Sequence, residues 1–337
     1  MKKVAIIGAG LSGLTLAQQI VDIAEVTIFE KFHQVSGRMA AREHLPFVFD
    51  HGAQFFTVKY PEFADVIHHL KEANVVDSWE ARFVEVDGTQ VKKSREWEES
   101  YPHYVGVPDM AAVGMYLSAQ LLQQRVDIRL NKHVTGMHRR DNQWCLTTAN
   151  DQELGCYDWV VTAVPAAQTV ELMPTSFRHQ HSIRQIQMLP CYALMLGYAQ
   201  PLQLSWDAAH VTNSVLSWIS VNSSKPARHR STSLVAMSRN MWASEHFHQT
   251  ESWVKATLLE TLVGIIGEQA KQPQLVALKK WHFANAPKSE LEEVFIDTHQ
   301  QLASCGDWCI NGRVESAFMS ALQLSKEIRK ALLHTID

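Results

Sequence analysis

The chain has 337 residues, 46% hydrophobic and 20% charged, with 31 Lys and Arg against 35 Asp and Glu for a net charge of −4. That length allows two domains or one large α/β unit with an inserted lobe, and the composition excludes a disordered or low-complexity chain. No basic excess exists to neutralise a phosphate backbone, which argues against nucleic-acid binding.

In chain order, residues 3–8 form an apolar, β-branched run suited to a buried strand. Gly8-Ala9-Gly10-Leu11-Ser12-Gly13 follows, then helical spacing at Leu14, Ala17 and Val21, then a strand over 25–30 that ends at Glu30. Strand, turn, helix and strand within about 30 residues make a βαβ unit. Residues 31–57 read as loop, with turn signals at Ser36-Gly37-Arg38 and Phe49-Asp50-His51-Gly52. The segment 61–76 opens on Pro61 and carries Phe63, Val66, Ile67 and Leu70 on one helical face. Residues 79–98 read as a strand pair around Asp87-Gly88, and 108–124 as a helix. Residues 126–164 read as successive strands with turns at Asp141-Asn142 and Asn150-Asp151, closed by Pro165. Strands are then expected at 191–198, 211–221 and 232–238 and a helix at 249–267. A strand-like entry and a loop with Gly306 and Gly312 lead to a final helix from Val314.

The five cysteines, Cys145, Cys156, Cys191, Cys305 and Cys309, are odd in number in a large chain. No disulfide framework is expected, and a reducing cytoplasm is. No run reaches the roughly 18 apolar residues of a membrane helix. The apolar N-terminus is broken by glycines and leads to no signal cleavage site.

The first motif is Gly8-x-Gly10-x-x-Gly13 with Glu30. Its glycines permit a tight turn, close approach of a pyrophosphate and close helix–strand packing. The helix N-terminus offers free N–H groups to the anion, and Glu30 can accept ribose hydroxyls of an adenosine. An Arg soon after the ribose acid, Arg38, can reach the pyrophosphate bidentately. Residues 49–57 would bring backbone and the Gln54 amide against an aromatic ring system, so a GRM segment in this place points to a flavin rather than NAD. The second motif is Cys305-Gly306-Asp307-Trp308-Cys309 followed by Gly312-Arg313-Val314-Glu315. Asp307 can bind ribityl hydroxyls, and the helix starting at Val314 can face the flavin edge where negative charge develops on reduction.

These residues carry a resemblance to the flavin-dependent amine oxidase superfamily and, more closely, to the bacterial renalases. It rests on GAGLSG with Glu30-Lys31, SGRMAAR, FDHGAQFFT over 49–57, Tyr104-Val105-Gly106 with Pro108 and Met110, Ala163-Val164-Pro165, NSSKP over 222–226, Ser238–Trp242 and GDWCINGRVESA over 306–317. The resemblance implies an α/β fold, with a discontinuous Rossmann-type FAD-binding domain (1–57, 101–165 and 281–337) and an inserted mixed-sheet-plus-helices substrate domain (58–100 and 166–280). It implies non-covalent FAD, contacted by Gly8, Gly10, Ser12, Gly13, Glu30, Lys31, Arg38, Gln54, Phe55, Val134, Asp307 and Val314. Substrate contacts would fall on Phe56, Thr57, Val58, Lys59, Tyr60, Tyr104, Val105, Gly106, Cys191 and Arg313. The implied reaction oxidises dihydronicotinamide dinucleotides reduced at ring position 2 or 6. Hydride goes to flavin N5, NAD(P)+ leaves, and O2 takes the electrons to give H2O2. Such chemistry needs stacking and exclusion of water more than an acid or base.

The chain departs from that family at Ser36, where a second glycine is usual, and at Asp109, where a glycine is usual. Val107 stands in place of a cation, and 281–287 (WHFANAP) replaces a more basic segment. No metal is expected: His179 with His181 and His246 with His248 lack Cys or acidic partners at ligand spacing. Cys305 and Cys309 are one residue too far apart for a redox C-x-x-C. Lys92-Lys93 reads as a solvated turn, and Trp242, Trp253 and Trp281 as packing. Two alternatives stand beside the renalase-type reaction. One is a true amine oxidase or related dehydrogenase, for which no Lys near the flavin and no facing aromatic pair is identifiable. The other is a non-catalytic FAD-binding sensor.

Overall fold

The structure, a computed structural model, describes residues 1–95, 98, 100–287 and 294–334. The readings over 58–100 and 281–337 therefore include positions (96, 97, 99, 288–293 and 335–337) outside the described residues. Two compact units emerge, one of Met1–Gly37, Gly114–Met188 and Ala286–Asp337, the other of Arg38–Val113 and Leu189–Asn285. Residues 38–57, 101–113 and 281–285 thus pack in the second unit, and 166–188 in the first.

The first unit is an α/β fold around a six-stranded sheet. Its strand order is Phe295–Asp297, Leu302–Ser304, Trp159–Thr162, Lys2–Ile7, Ala24–Phe29 and Asp127–Arg129. All neighbours run parallel except the Phe295–Asp297 edge. A parallel sheet needs crossover connections, and the helix Leu11–Ile20 supplies the first. Val4, Ala5 and Ile6 are wholly buried, which explains the unbroken apolar run at 4–7. Each large aliphatic side chain buried there contributes about 1.5–3 kcal/mol. The final helix, Val314–His334, packs on Leu11–Ile20; Arg329 clamps the pair by donating to the Gln19 carbonyl at 2.8 Å and to Asp22.

A second, three-stranded antiparallel sheet follows in the same unit, from Gly136–Arg140, Gln143–Thr147 and Glu153–Tyr157. Asp141 and Asn142 both take positive φ, 48° and 62°, as a two-residue hairpin turn requires. Here the structure corrects the cysteine reading. Cys145 and Cys156 stand directly opposite on neighbouring strands and form a disulfide, while Cys191, Cys305 and Cys309 are free and buried. A cysteine count cannot see this pair, because strand register brings together residues 11 apart in sequence.

The second unit is built on a seven-stranded sheet ordered Leu275–Asn285, Leu189–Tyr198, Thr232–Ser238, Leu216–Val221, Ala208–Thr212, Phe83–Asp87 and Gln90–Arg95. Its strand Leu189–Tyr198 is covered on both faces. Leu194 and Leu196 join the core under the helix Glu251–Ile266, which buries Val254, Leu258, Leu262 and Ile266 at helical spacing. Ala193 and Met195 meet Phe47 and Phe49 on the opposite side. Those phenylalanines belong to a hairpin, Ala41–His44 with Phe47–Asp50, within the segment read as loop. Gly197 makes room for it: a Cβ there would lie 2.5 Å from the Phe47 ring.

Other boundaries also move. The run 211–221 is two strands, broken at Asn213 with φ 49°. The eleven-residue strand Leu275–Asn285 leaves no signature in the sequence, because its residues are mostly half-buried and give no clean alternation. The short helices Ala166–Leu172, Gln180–Arg184 and Asn240–Glu245 span too few turns to show a period. Among the described residues, no helix is long and apolar enough to cross a membrane.

Candidate functional site

In the first unit, the turn between Lys2–Ile7 and Leu11–Ile20 is held by its glycines for different reasons. Gly8 has φ 111°, and a Cβ on it would lie 2.5 Å from the Ala163 carbonyl oxygen. A Cβ on Gly13 would lie 2.0 Å from the Gly8 carbonyl oxygen, so this helix–strand approach needs glycine. At Gly10 the nearest atom to a Cβ is the Gly37 Cα at 3.9 Å, an ordinary contact. The protein's own packing does not require glycine there, and the space suits a closely approaching ligand.

The helix Leu11–Ile20 has no acidic residue in its first turn and no side-chain cap. Its N–H groups and dipole end are therefore left for an anion. Glu30 is buried, and its carboxylate accepts the backbone N–H groups of Ala9 and Phe32, both at 3.0 Å. Those bonds pin it beside the glycine turn and leave acceptor capacity on both oxygens. Uncapped helix, open glycine and pinned carboxylate together fit a dinucleotide cofactor.

The remaining first-unit candidates are local to two other places. Val134 is buried in the core with Phe29 and Trp144. Asp307 is buried, and its carbonyl accepts the N–H groups of Ile310, Asn311 and Gly312, which shapes the turn into the final helix. Trp308 locks that turn by donating from Nε1 to the Val164 carbonyl at 2.9 Å. Ser12 hydrogen-bonds the Cys305 thiol, which burial pushes up to about 12. Burial also holds the Cys309 thiol well above its ordinary value, so neither thiol is a nucleophile at neutral pH. Arg313 is exposed, directly before the final helix, with no side-chain hydrogen bond or ion pair among the described residues. Lys31 is exposed, its ammonium over the Phe32 ring at 5.2 Å.

In the second unit the segment 50–57 starts from a buried charge. The Asp50 carboxylate, fully excluded from solvent, accepts from Lys225 Nζ at 3.0 Å, Arg228 at 2.6 Å and the Met110 N–H at 2.9 Å. Burial alone would raise its carboxyl, but the Lys225 and Arg228 charges and these hydrogen bonds hold it below the usual carboxylate range. Burial and the Arg228 charge push the Lys225 ammonium down. Arg228 also donates to the Gly106 carbonyl at 2.9 Å. The network thus ties 50–57 to 104–110.

Gln54 is committed within this segment. Its amide donates to the Asp50 and Gly52 carbonyls at 2.5 and 3.0 Å and accepts from Ser220 at 2.8 Å. Phe55 stands in an aromatic group with His103 at 4.6 Å and Trp218 at 5.3 Å between centroids. Phe56 is buried and exchanges two backbone hydrogen bonds with Tyr104, at 2.9 and 2.8 Å, with the rings 6.0 Å apart. Burial raises the Tyr104 phenol. Thr57 and Val58 are half-buried, Lys59 and Tyr60 exposed, and Val105 and Gly106 buried. The Arg38 guanidinium is half-buried and reaches the Ala284 carbonyl at 3.4 Å.

Cys191 is fully enclosed in the sheet, its thiol directed at the Ser238 carbonyl and pushed up to about 11 by burial. Asp109, the departure from the family pattern, accepts the Ala111 and Ala112 N–H groups and caps the helix Ala112–Gln123. Burial and the charge of Asp50 raise its carboxyl. Ser36, the other departure, holds φ 89°, a conformation natural to glycine.

Two features escaped the sequence. The Asp50–Lys225–Arg228 network joins Asp50 and Lys225 of two recognised motifs with Arg228, which lies just outside them, and nothing in their spacing pairs them. His51 stacks on Trp281 at 5.4 Å and 27°, and Trp281 Nε1 donates to the His51 carbonyl. Burial and the Arg42 and Lys279 charges push the His51 imidazole down to about 4.

Residues 6–70 match the model of the NAD(P)-binding Rossmann-like domain, and residues 104–329 that of the flavin containing amine oxidoreductases. Among solved structures, the chain is similar to cyclohexylamine oxidase from Brevibacterium oxydans IH-35A, at 14% identity and TM-score 0.74, over 97% of this chain and 99% of that one. It is similar to putrescine oxidase bound to putrescine at 13% identity and TM-score 0.73, over 98% and 99%. A putative protoporphyrinogen oxidase from Exiguobacterium sp. 255-15 matches at 12% and TM-score 0.72, over 97% and 98%. At such identities the likeness is one of fold.

Proposed function

Because the chain belongs to the flavin containing amine oxidoreductase family, we propose that it is an FAD-dependent oxidase of renalase type, acting on 2- or 6-dihydronicotinamide dinucleotides. One observation carries this choice of substrate, the pairing of the renalase-like segments FDHGAQFFT over 49–57 and GDWCINGRVESA over 306–317 in one chain. The candidate substrate residues include two cations, Lys59 and Arg313, flat rings at Phe56, Tyr60 and Tyr104, and no carboxylate. That set suits an anionic ligand with a planar ring, and opposes a cationic amine.

FAD, held without a covalent link, supplies the two-electron acceptor that O2 reoxidises with release of H2O2. The turn at Gly8–Gly13 and the helix behind it would hold its pyrophosphate, with Arg38 adding a guanidinium. Glu30 would take the ribose hydroxyls and Asp307 the ribityl chain. Gln54 acts on backbone: it fixes the course of 50–54 and so the start of the aromatic segment. Phe56 and Tyr104 stack a nicotinamide and exclude water from it. Arg313 meets a carboxamide or phosphate oxygen. No residue is asked to move a proton, since the reaction needs none moved in its hydride step.

Oxidation of an amine is the second reading, favoured by the family description itself. Anaerobic mixing of the yellow protein with 2-, 6- and 4-dihydro-NAD(P), and separately with putrescine and cyclohexylamine, distinguishes the two. Fast bleaching by the 2- or 6-isomer alone is expected. Bleaching by an amine and by no dihydronicotinamide overturns the proposal, and bleaching by neither leaves a flavoprotein without this turnover.

A further inference from the structure

The small sheet of the first unit gathers a set of metal-ligating side chains that the candidate site does not use. His138, Cys145 and Cys156 stand opposite one another across its three strands, so they share one face. Glu153, three residues before Cys156, would point to the other face of a regular strand. It does not, because the register shifts: Thr147 pairs with Glu153 and Leu146 with Gly155, leaving Leu154 as an extra residue. Gly155, at φ 124°, makes that bulge possible. The bulge turns Glu153 onto the cysteine face, and the ligating atoms of Cys145, Glu153 and Cys156 lie within 4.8 Å of one another. The opposite face is apolar, with Trp144, Leu146, Leu154 and Tyr157 in the core.

We propose that this face is a redox-gated site for a thiophilic divalent cation such as Zn2+, bound by Cys145, Cys156 and Glu153 once the disulfide is reduced. Reduction adds two electrons and two protons to the S–S bond, from an external thiol or phosphine, and yields two thiols. The cation then displaces both thiol protons. Two thiolates and a carboxylate with a water as fourth donor make a tetrahedral zinc set. Water has access, because Cys156 is only half-buried and Glu153 is exposed. Arg140 now donates to both Glu153 oxygens at 2.9 and 2.8 Å and to the Cys156 sulfur at 3.0 Å. Being exposed, it can release the carboxylate and remain near, where its charge offsets the surplus negative charge of the three ligands. In the disulfide form both sulfurs have lost the charge that binds metal, so the oxidised chain has no such site.

The test uses the full flavin-loaded chain, reduced with a phosphine, desalted without oxygen and titrated with ZnCl2. Native mass spectrometry and competition with a chromogenic chelator read the outcome. The reduced chain retains one Zn2+, and the oxidised chain and the Cys145→Ser/Cys156→Ser variant retain none. Glu153→Gln weakens binding at least about tenfold, since even indirect partners of a ligand carry that much. Flavin absorbance confirms that each variant is folded, and Glu153→Gln, a surface change, tests the site should the double variant not fold. Retention by the oxidised chain or by the double variant, no retention by the reduced chain, or wild-type affinity in Glu153→Gln would each overturn the assignment.

Discussion

The two units hold their candidate residues by opposite means. In the first, uncharged backbone does the work: glycines set the turn, N–H groups of Ala9 and Phe32 pin Glu30, and the Asp307 carbonyl shapes the last turn. In the second, three ionised side chains almost wholly shut off from solvent fix the segments around Phe56 and Tyr104. A backbone site fails when a Cβ intrudes. A buried ionic site fails when one partner is lost, because the others are left charged in a poor solvent. The first is damaged by adding atoms and the second by removing a charge.

The largest effect should come from breaking the ionic side. Asp50→Ala strands Lys225 and Arg228, and should cost about 3–5 kcal/mol in chemical denaturation. A triple replacement by apolar residues should recover much of that, which would separate charge loss from packing loss. Acid should reach the same unit in two stages. His51 titrates at about 4 in the fold against 6.5 unfolded, so the unfolded chain takes up a proton that the native chain refuses. Stability is therefore unaffected by this group above pH 6.5 and falls between 6.5 and about 4, by on the order of 3 kcal/mol. Asp50 has a lowered folded value, so its contribution is present above about 4 and is lost as pH falls through that lowered value. His51→Gln should flatten the first stage only, as read from unfolding midpoints across pH 4–7.

Smaller effects sharpen the contrast. Arg313→Ala should raise KM for the proposed dihydronicotinamide substrate about tenfold or more, the worth of a charged hydrogen bond, while flavin stays bound; loss of flavin would contradict the role proposed for it. Gly10→Ala should cost on the order of 1 kcal/mol, as at other helix N-caps, because its Cβ meets nothing closer than 3.9 Å. It should nevertheless lower flavin retention after gel filtration. An equal loss of stability in Gly10→Ala and Gly13→Ala would show that the open place at Gly10 is not reserved for a ligand.

This contrast also explains what the sequence disclosed. The helices at Pro61–Glu72, Glu251–Ile266 and Val314–His334 are patterns set within a few turns, and the βαβ start and the glycine turn with Glu30 are set within about 30 residues. They were legible because backbone sites are built from neighbours in sequence. The hairpin beneath the second sheet looks like loop in the sequence, since Phe47 and Phe49 show their purpose only against Ala193 and Met195. The Asp50 network spans 175 residues from carboxylate to ammonium, and the Cys145–Cys156 bond depends on register. Neither distance nor register is written in spacing.

The first unit is assembled from three separate stretches of chain, and its central strand Lys2–Ile7 lies between Ala24–Phe29 and Trp159–Thr162. During synthesis that strand finds one neighbour, Ala24–Phe29, at once. It waits for the other, Trp159–Thr162, through more than a hundred residues of synthesis, and the helix Val314–His334 follows later still. At roughly 5–20 residues per second the apolar segment stays incompletely covered for several seconds at least. The nascent chain therefore passes through a period when this strand, buried from Val4 to Ile7 in the finished fold, has an open edge, and a holdase chaperone acting in that interval would govern yield more than the stability of the finished fold.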